Sequence, residues 1–167
     1  DHPGRHRQRS ELYSNTMFEN QQPALILHPE AKPRRLRVGY FSADFHDHDT
    51  MYQMARLFEL HDPDAFETIV YSYGVSAEDS MRSRLIEAVD EFYDVRDLSD
   101  ADVAALCRTH RLDVAVDLMG CIQRARLGIF SYRAAPIQIS YLGYPGTTGA
   151  SFIDYIIADE VVIPREQ

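Results

Sequence analysis

Short apolar runs that alternate with helical patterns constrain this chain more than any other feature. Leu36–Ser42, Phe66–Tyr73, Glu91–Val95, Asp113–Leu118, Ile137–Leu142 and Tyr155–Ala158 read as strands, several of them apolar almost throughout. Between them, Thr50–Leu60 repeats Met51, Met54, Ala55 and Phe58 at helical spacing, and Asp79–Val89 repeats Met81, Leu85, Ile86 and Val89. A further helix opens at Ser99, with Asp102 three residues on to complete a capping pattern, and a short one is expected near Arg126–Tyr132. Strands that are apolar along their whole length need cover on both faces, and alternating helices supply it. The expected class is therefore α/β: a Rossmann-like three-layer domain with a mostly parallel sheet over residues 35–167. Residues 1–34 read as an extension from something upstream, with one helix over Gln8–Glu19 and a linker over Pro29–Arg35.

The balance of charge narrows the partners. A net charge of −9 argues against a nucleic-acid surface, because phosphate backbones are held by clustered Lys and Arg. No apolar run approaches the roughly 20 residues of a membrane helix, and the polar start of the chain has no signal-peptide core, so neither membrane nor secretion is expected and the cytoplasm is the expected compartment. Cys107 and Cys121 have neither metal-ligand spacing nor the look of a disulfide framework, and both read as free thiols.

Candidate site residues gather at strand ends. The fifth strand runs into Leu142-Gly143-Tyr144-Pro145-Gly146-Thr147-Thr148-Gly149, where glycine permits close backbone approach and proline fixes one dihedral. In open α/β sheets, ligands lie beyond the carboxyl ends of the strands. The loop after the first strand, Ser42-Ala43-Asp44-Phe45-His46-Asp47-His48-Asp49-Thr50, lacks the glycines of a dinucleotide-binding turn, so no nicotinamide or flavin cofactor is expected. His46 to Asp49 carry metal-ligating groups, but adjacent residues rarely serve one ion, and no metal is expected. Asp47 or Asp49 reads as the cap of the following helix. An imidazole at His48 has the chemistry to accept or relay a substrate proton. Asp117, a carboxylate in an apolar strand, needs either a partner or a role.

Four blocks then carry a resemblance: Val38-Gly39-Tyr40-Phe41-Ser42-Ala43-Asp44-Phe45 with His48 and Thr50; Asp117-Leu118-Met119-Gly120; Ala135-Pro136-Ile137-Gln138 through Leu142-Gly143-Tyr144-Pro145-Gly146-Thr147; and Asp154-Tyr155-Ile156-Ile157-Ala158-Asp159. In this order and spacing they resemble the protein O-linked N-acetylglucosamine transferases, Spindly-type members included, and are closest to bacterial members with tetratricopeptide repeats. The resemblance implies an inverting transferase of two Rossmann-like halves, which moves N-acetylglucosamine from UDP-GlcNAc to Ser or Thr hydroxyls of a protein.

On that reading the chain is the first half of the catalytic region and contributes the acceptor side of the cleft. The second half holds most of the uridine diphosphate, and the isolated piece is expected to be inactive. No separate cofactor is implied; the partners are the protein acceptor and the C-terminal half. His48 matches the family's active-site histidine, argued as general base or as an organising contact, and with Asp117 forms the candidate catalytic pair. Asp44, Thr50, Gly120, Gly143, Tyr144, Pro145, Gly146 and Thr147 are the candidate substrate-binding residues. Cys121-Ile122 stand where the family usually has Tyr-Thr, and Asp49 where it usually has Pro or Ala. These departures define the alternative, a degenerate transferase-like module that binds without turnover.

Overall fold

The computed structural model describes residues 2–18 and 35–164, so nearly all of the expected linker lies outside the described residues. Within them, helix α1 (Pro3–Phe18) precedes β1 (Leu36–Ser42), α2 (Asp49–Glu59), β2 (Phe66–Ser72), α3 (Ser80–Ala88), β3 (Glu91–Asp94), α4 (Asp100–Thr109), β4 (Val114–Asp117), α5 (Gly128–Ser131), β5 (Ile137–Tyr141) and β6 (Tyr155–Ile157). The six strands form one sheet in the order β3-β2-β1-β4-β5-β6, and every pairing is parallel. The longest register runs from Leu36 beside Phe66 to Ser42 beside Ser72.

The two faces of the sheet follow from the alternation of side chains along each strand. Val38, Tyr40, Val70 and Val116 are buried with Met51, Met54 and Phe58 of α2 and Met81 and Leu85 of α3. Phe41, Ile69, Tyr71 and Ala115 belong to the opposite layer, with Val103, Ala104 and Cys107 of α4 and Ile129 and Phe130 of α5. Burying each such large apolar side chain contributes about 1.5–3 kcal/mol, which makes these layers the main source of stability. The caps are local. Asp79 accepts from the Arg82 amide ahead of α3, and Ser99 accepts from the Asp102 amide ahead of α4.

From β1 the chain steps outward to β2 and β3, then returns to the other side of β1 for β4. The direction of winding therefore reverses between β1 and β4, and a crevice opens beyond their carboxyl ends. That crevice positions the site.

Helix α1 begins earlier than the expected Gln8, because His2 caps it: its Nδ1 accepts from the Gly4 amide at 3.2 Å and its carbonyl from the Arg5 amide at 2.9 Å. The helix also lies against the domain. The buried Ser14 hydroxyl donates to the Thr148 carbonyl at 2.8 Å, and the Phe18 and Phe152 rings meet edge to face. Ser14→Ala is expected to cost about 1 kcal/mol and to lower Tm by about 2–4 °C in a thermal melt.

Candidate functional site

Three strand ends build the crevice. After β1, the chain passes through Asp44, which is 2% exposed, to His48, the residue that starts α2. Asp44 is held from across the crevice by Arg124 of the loop after β4, with Nη2 to Oδ1 at 3.2 Å. Its other oxygen lies 3.8 Å from His48 Nδ1, beyond hydrogen-bond reach. The helix cap is His48 itself, not Asp47 or Asp49: its Nδ1 accepts from the Thr50 amide at 3.2 Å, and Thr50 Oγ1 lies at the same distance. The acids do not cap because Asp47 is turned away to receive the Tyr52 hydroxyl at 2.6 Å, while Asp49 is already the first helical residue.

After β4, Asp117 folds back on its own turn. Its carboxylate accepts from the Met119 amide at 3.0 Å and the Gly120 amide at 2.9 Å, and burial pushes its pKa up to about 6 against the pull of those two donors. The partner that an apolar strand requires of a carboxylate is thus the backbone two and three residues ahead.

After β5, the elbow turns through left-handed backbone at Leu142 (φ 57°) and Gly143 (φ 68°). The strand that leads into it is fixed by Gln138, wholly buried, whose amide nitrogen donates to the Phe130 and Phe152 carbonyls at 2.9 and 2.7 Å and whose oxygen accepts from the Ala134 amide at 2.9 Å.

The structure brings His48 and Thr50 together with Gly143, Tyr144 and Pro145 around one pocket of about 610 Å³. Asp49, Gln53, Ile122, Asp159 and the β6 side chains Ile156 and Ile157 complete its walls. Asp49 is exposed there, and its carboxylate has no hydrogen bond or ion pair among the described residues. Asp44 and Asp117 are buried and do not line this pocket. Gly146 and Thr147 face a neighbouring groove of about 960 Å³ shared with α1, and Gly120 and Cys121 a hollow of about 290 Å³ beside Tyr13 and Met17.

Not every elbow glycine serves a ligand. A Cβ on Gly149 would strike the backbone of α1 at Ser10 and Glu11, and one on Gly146 would come within 2.8 Å of the His6 ring. Those two positions admit the chain's own helix, a role that strand-end reasoning does not assign. The Tyr144 hydroxyl reaches His6 Nε2 at 2.8 Å from the same side.

Among the described residues, no three His, Cys, Asp or Glu side chains converge as a metal ion requires. The His46 and His48 rings meet edge to face at 5.5 Å. No described helix is long and apolar enough to cross a membrane. Ser140 and Asp159, which belong to motif blocks but are not among the candidate site residues, line the pocket, as do Gln53 and Val162 outside the blocks; Gln53 had a legible signal, one helical turn beyond Asp49.

Comparison with known proteins places this geometry. The model of glycosyl transferase family 41 matches residues 16–167. The chain is 36% identical over 132 residues to the UDP-N-acetylglucosamine–peptide N-acetylglucosaminyltransferase of Caenorhabditis elegans, covering 78% of this chain and 12% of that one. It is 35% identical over 133 residues to the Arabidopsis thaliana protein named as the probable UDP-N-acetylglucosamine–peptide N-acetylglucosaminyltransferase SEC, covering 80% and 14%. Among solved structures, a mutant of the Thermobaculum terrenum O-GlcNAc transferase superposes with a TM-score of 0.86 at 31% identity, over 95% of this chain and 30% of that one. The chain thus spans about an eighth of the length of those two sequence relatives and under a third of the solved structure. With a family model matching residues 16–167, the chain belongs to glycosyl transferase family 41.

Proposed function

We propose that this chain is the N-terminal half of the catalytic region of a protein O-glycosyltransferase that transfers N-acetylglucosamine from UDP-GlcNAc to Ser or Thr of a protein. The observation that carries this reading is the single pocket at the winding reversal, where His48 and Thr50 face the Gly143–Pro145 elbow.

The lining suits one side of such a reaction better than the other. An acceptor hydroxyl attacking an anomeric carbon needs an oriented approach, which a histidine and a rigid elbow provide. The departing diphosphate needs positive charge or helix N-termini. The described walls offer the carboxylates of Asp49 and Asp159 and no lysine or arginine, and the one helix N-terminus among them, that of α2, is already capped by His48 and carries Asp49 in its first turn, which favours the acceptor here and the diphosphate on the remainder of the parent protein. On this reading Asp117 acts by holding the Gly120 turn and Asp44 by holding Arg124 of the loop after β4. Residues 35–167 form the half-domain, residues 1–34 lead in from upstream helical repeats, and the parent is a bacterial, cytoplasmic protein.

The test is sugar transfer by the full-length parent, with radiolabelled or mass-tagged UDP-GlcNAc and Ser/Thr peptides. The parent is expected to transfer, the isolated chain is expected not to, and His48→Ala is expected to lower kcat/KM at least tenfold while its lost cap costs about 1 kcal/mol of stability. A parent that binds donor without turnover would establish the binding-module alternative, for which Ile122 on the wall and the unpaired Asp49 are the motivating features.

A further inference from the structure

The transferase reading leaves open what the active-site histidine does with its proton. The geometry points to a definite answer: His48 presents its Nε2–H to the pocket as a hydrogen-bond donor, with the tautomer fixed by Thr50, and is not the base that takes the acceptor's proton.

His48 has the extended backbone of a cap residue, φ −151° and ψ 153°, and its Nδ1 stands where a serine or aspartate oxygen usually stands. The group bonded to it at 3.2 Å is the Thr50 backbone amide, which can only donate. Nδ1 must therefore offer its lone pair. A neutral imidazole carries one N–H, so the proton sits on Nε2. The Thr50 hydroxyl, also 3.2 Å from Nδ1, has the freedom to turn its own proton toward the same lone pair.

The neighbouring charges do not reverse this assignment. Asp44 is the group that would draw a proton onto Nδ1, but its nearer oxygen is 3.8 Å away and its other oxygen is engaged by Arg124. The His46 ring approaches edge to face at 5.5 Å, and Asp49 lies one residue on in the first turn of α2. Tyr144 and Asp159 line the same pocket. None of the hydrogen bonds to the His48 ring within the described residues involves Nε2.

A ring held this way offers a donor to an oxygen of the acceptor or the sugar nucleotide. To serve as a base through Nε2 it would have to move its proton to Nδ1, and that would remove the acceptor of the Thr50 amide and uncap α2. The inference rests on the transferase reading for its substrate, but not for the tautomer, which belongs to this chain alone.

Nitrogen-15 NMR of the folded chain tests the tautomer directly. Long-range proton–nitrogen correlation of the His48 ring at neutral pH is expected to show Nδ1 as the bare, pyridine-type nitrogen and Nε2 as the protonated, pyrrole-type one. The reverse pattern, or averaging of the two, overturns the inference. In the full-length parent, His48→Gln, which keeps a donor, is expected to retain at least tenfold more transfer than His48→Glu, which keeps a base; the opposite order overturns the donor role. Circular dichroism of both variants separates these outcomes from unfolding. A parent that transfers no sugar removes the transferase reading itself, while the NMR result still decides the tautomer.

Discussion

Gly143→Val is expected to destabilise the domain by at least 3 kcal/mol, a fall in Tm of about 10 °C, and to abolish ligand binding at the pocket. The causes add. Backbone at φ 68° is left-handed, which costs an ordinary residue about 1–2 kcal/mol and a β-branched one more. A Cβ there would also run into the carbonyl oxygen of Leu118, a backbone atom in the strand-end loop next door. Relief requires the elbow to swing off β4, and the wall formed by Tyr144 and Pro145 moves with it. Gly4→Ala is the control: a Cβ there meets only the His2 side chain, and alanine at a helical position gains propensity. Thermal melts of the two variants are expected to move in opposite directions, and a Gly143→Val melt within 2–3 °C of the parent sequence would contradict the steric argument.

The second large effect belongs to Asp117. Asp117→Ala leaves the buried amides of Met119 and Gly120 without their acceptor, at about 1–3 kcal/mol each, and is expected to cost about 2–5 kcal/mol in urea unfolding. Asp117→Asn keeps one oxygen and is expected to cost less. The pair also separates by pH. Burial raises the folded pKa from the ordinary 3.8 to about 6, so the folded protein binds this proton more tightly than the unfolded chain does. The resulting stability is fully present below about pH 4 and is lost as pH rises through 6. A displacement of that size corresponds to about 3 kcal/mol at most. Relative to Asp117→Asn, which cannot titrate, the unsubstituted protein is therefore expected to gain stability on going from pH 7 to pH 4. Parallel pH profiles for the two proteins would show that Asp117 titrates as an exposed carboxylate does.

Much of the framework was legible because it is written in local pattern. The first strand runs over Leu36–Ser42 as the apolar run indicates, and the remaining strand ends fall within a residue of the expected ones. The Ser99–Asp102 cap forms as a three-residue spacing allows. The sheet is wholly rather than mostly parallel, which is what continuous apolar strands separated by helices require. The misread features have a different origin. Capping preference ranks aspartate far above histidine, so the acids on either side of His48 drew the assignment, and only the turn of the chain shows which residue occupies the cap. Glycines in the elbow looked like room for a ligand, whereas two of them are room for a helix more than 130 residues earlier in the chain.

Sequence alone determined the layered α/β architecture and, through the four motif blocks, the family, because periodicity, caps and turns depend on residues a few positions apart. Tertiary structure decided which candidates share a wall. It set His48 and Pro145 on one pocket, left Asp117 and Asp44 buried away from its lining, tied Asp44 to Arg124 across 80 residues, and laid α1 against the elbow. Such meetings are fixed by the order in which strands pair and by the shapes that pack between them, and a linear pattern does not encode which distant side chains those shapes bring within reach.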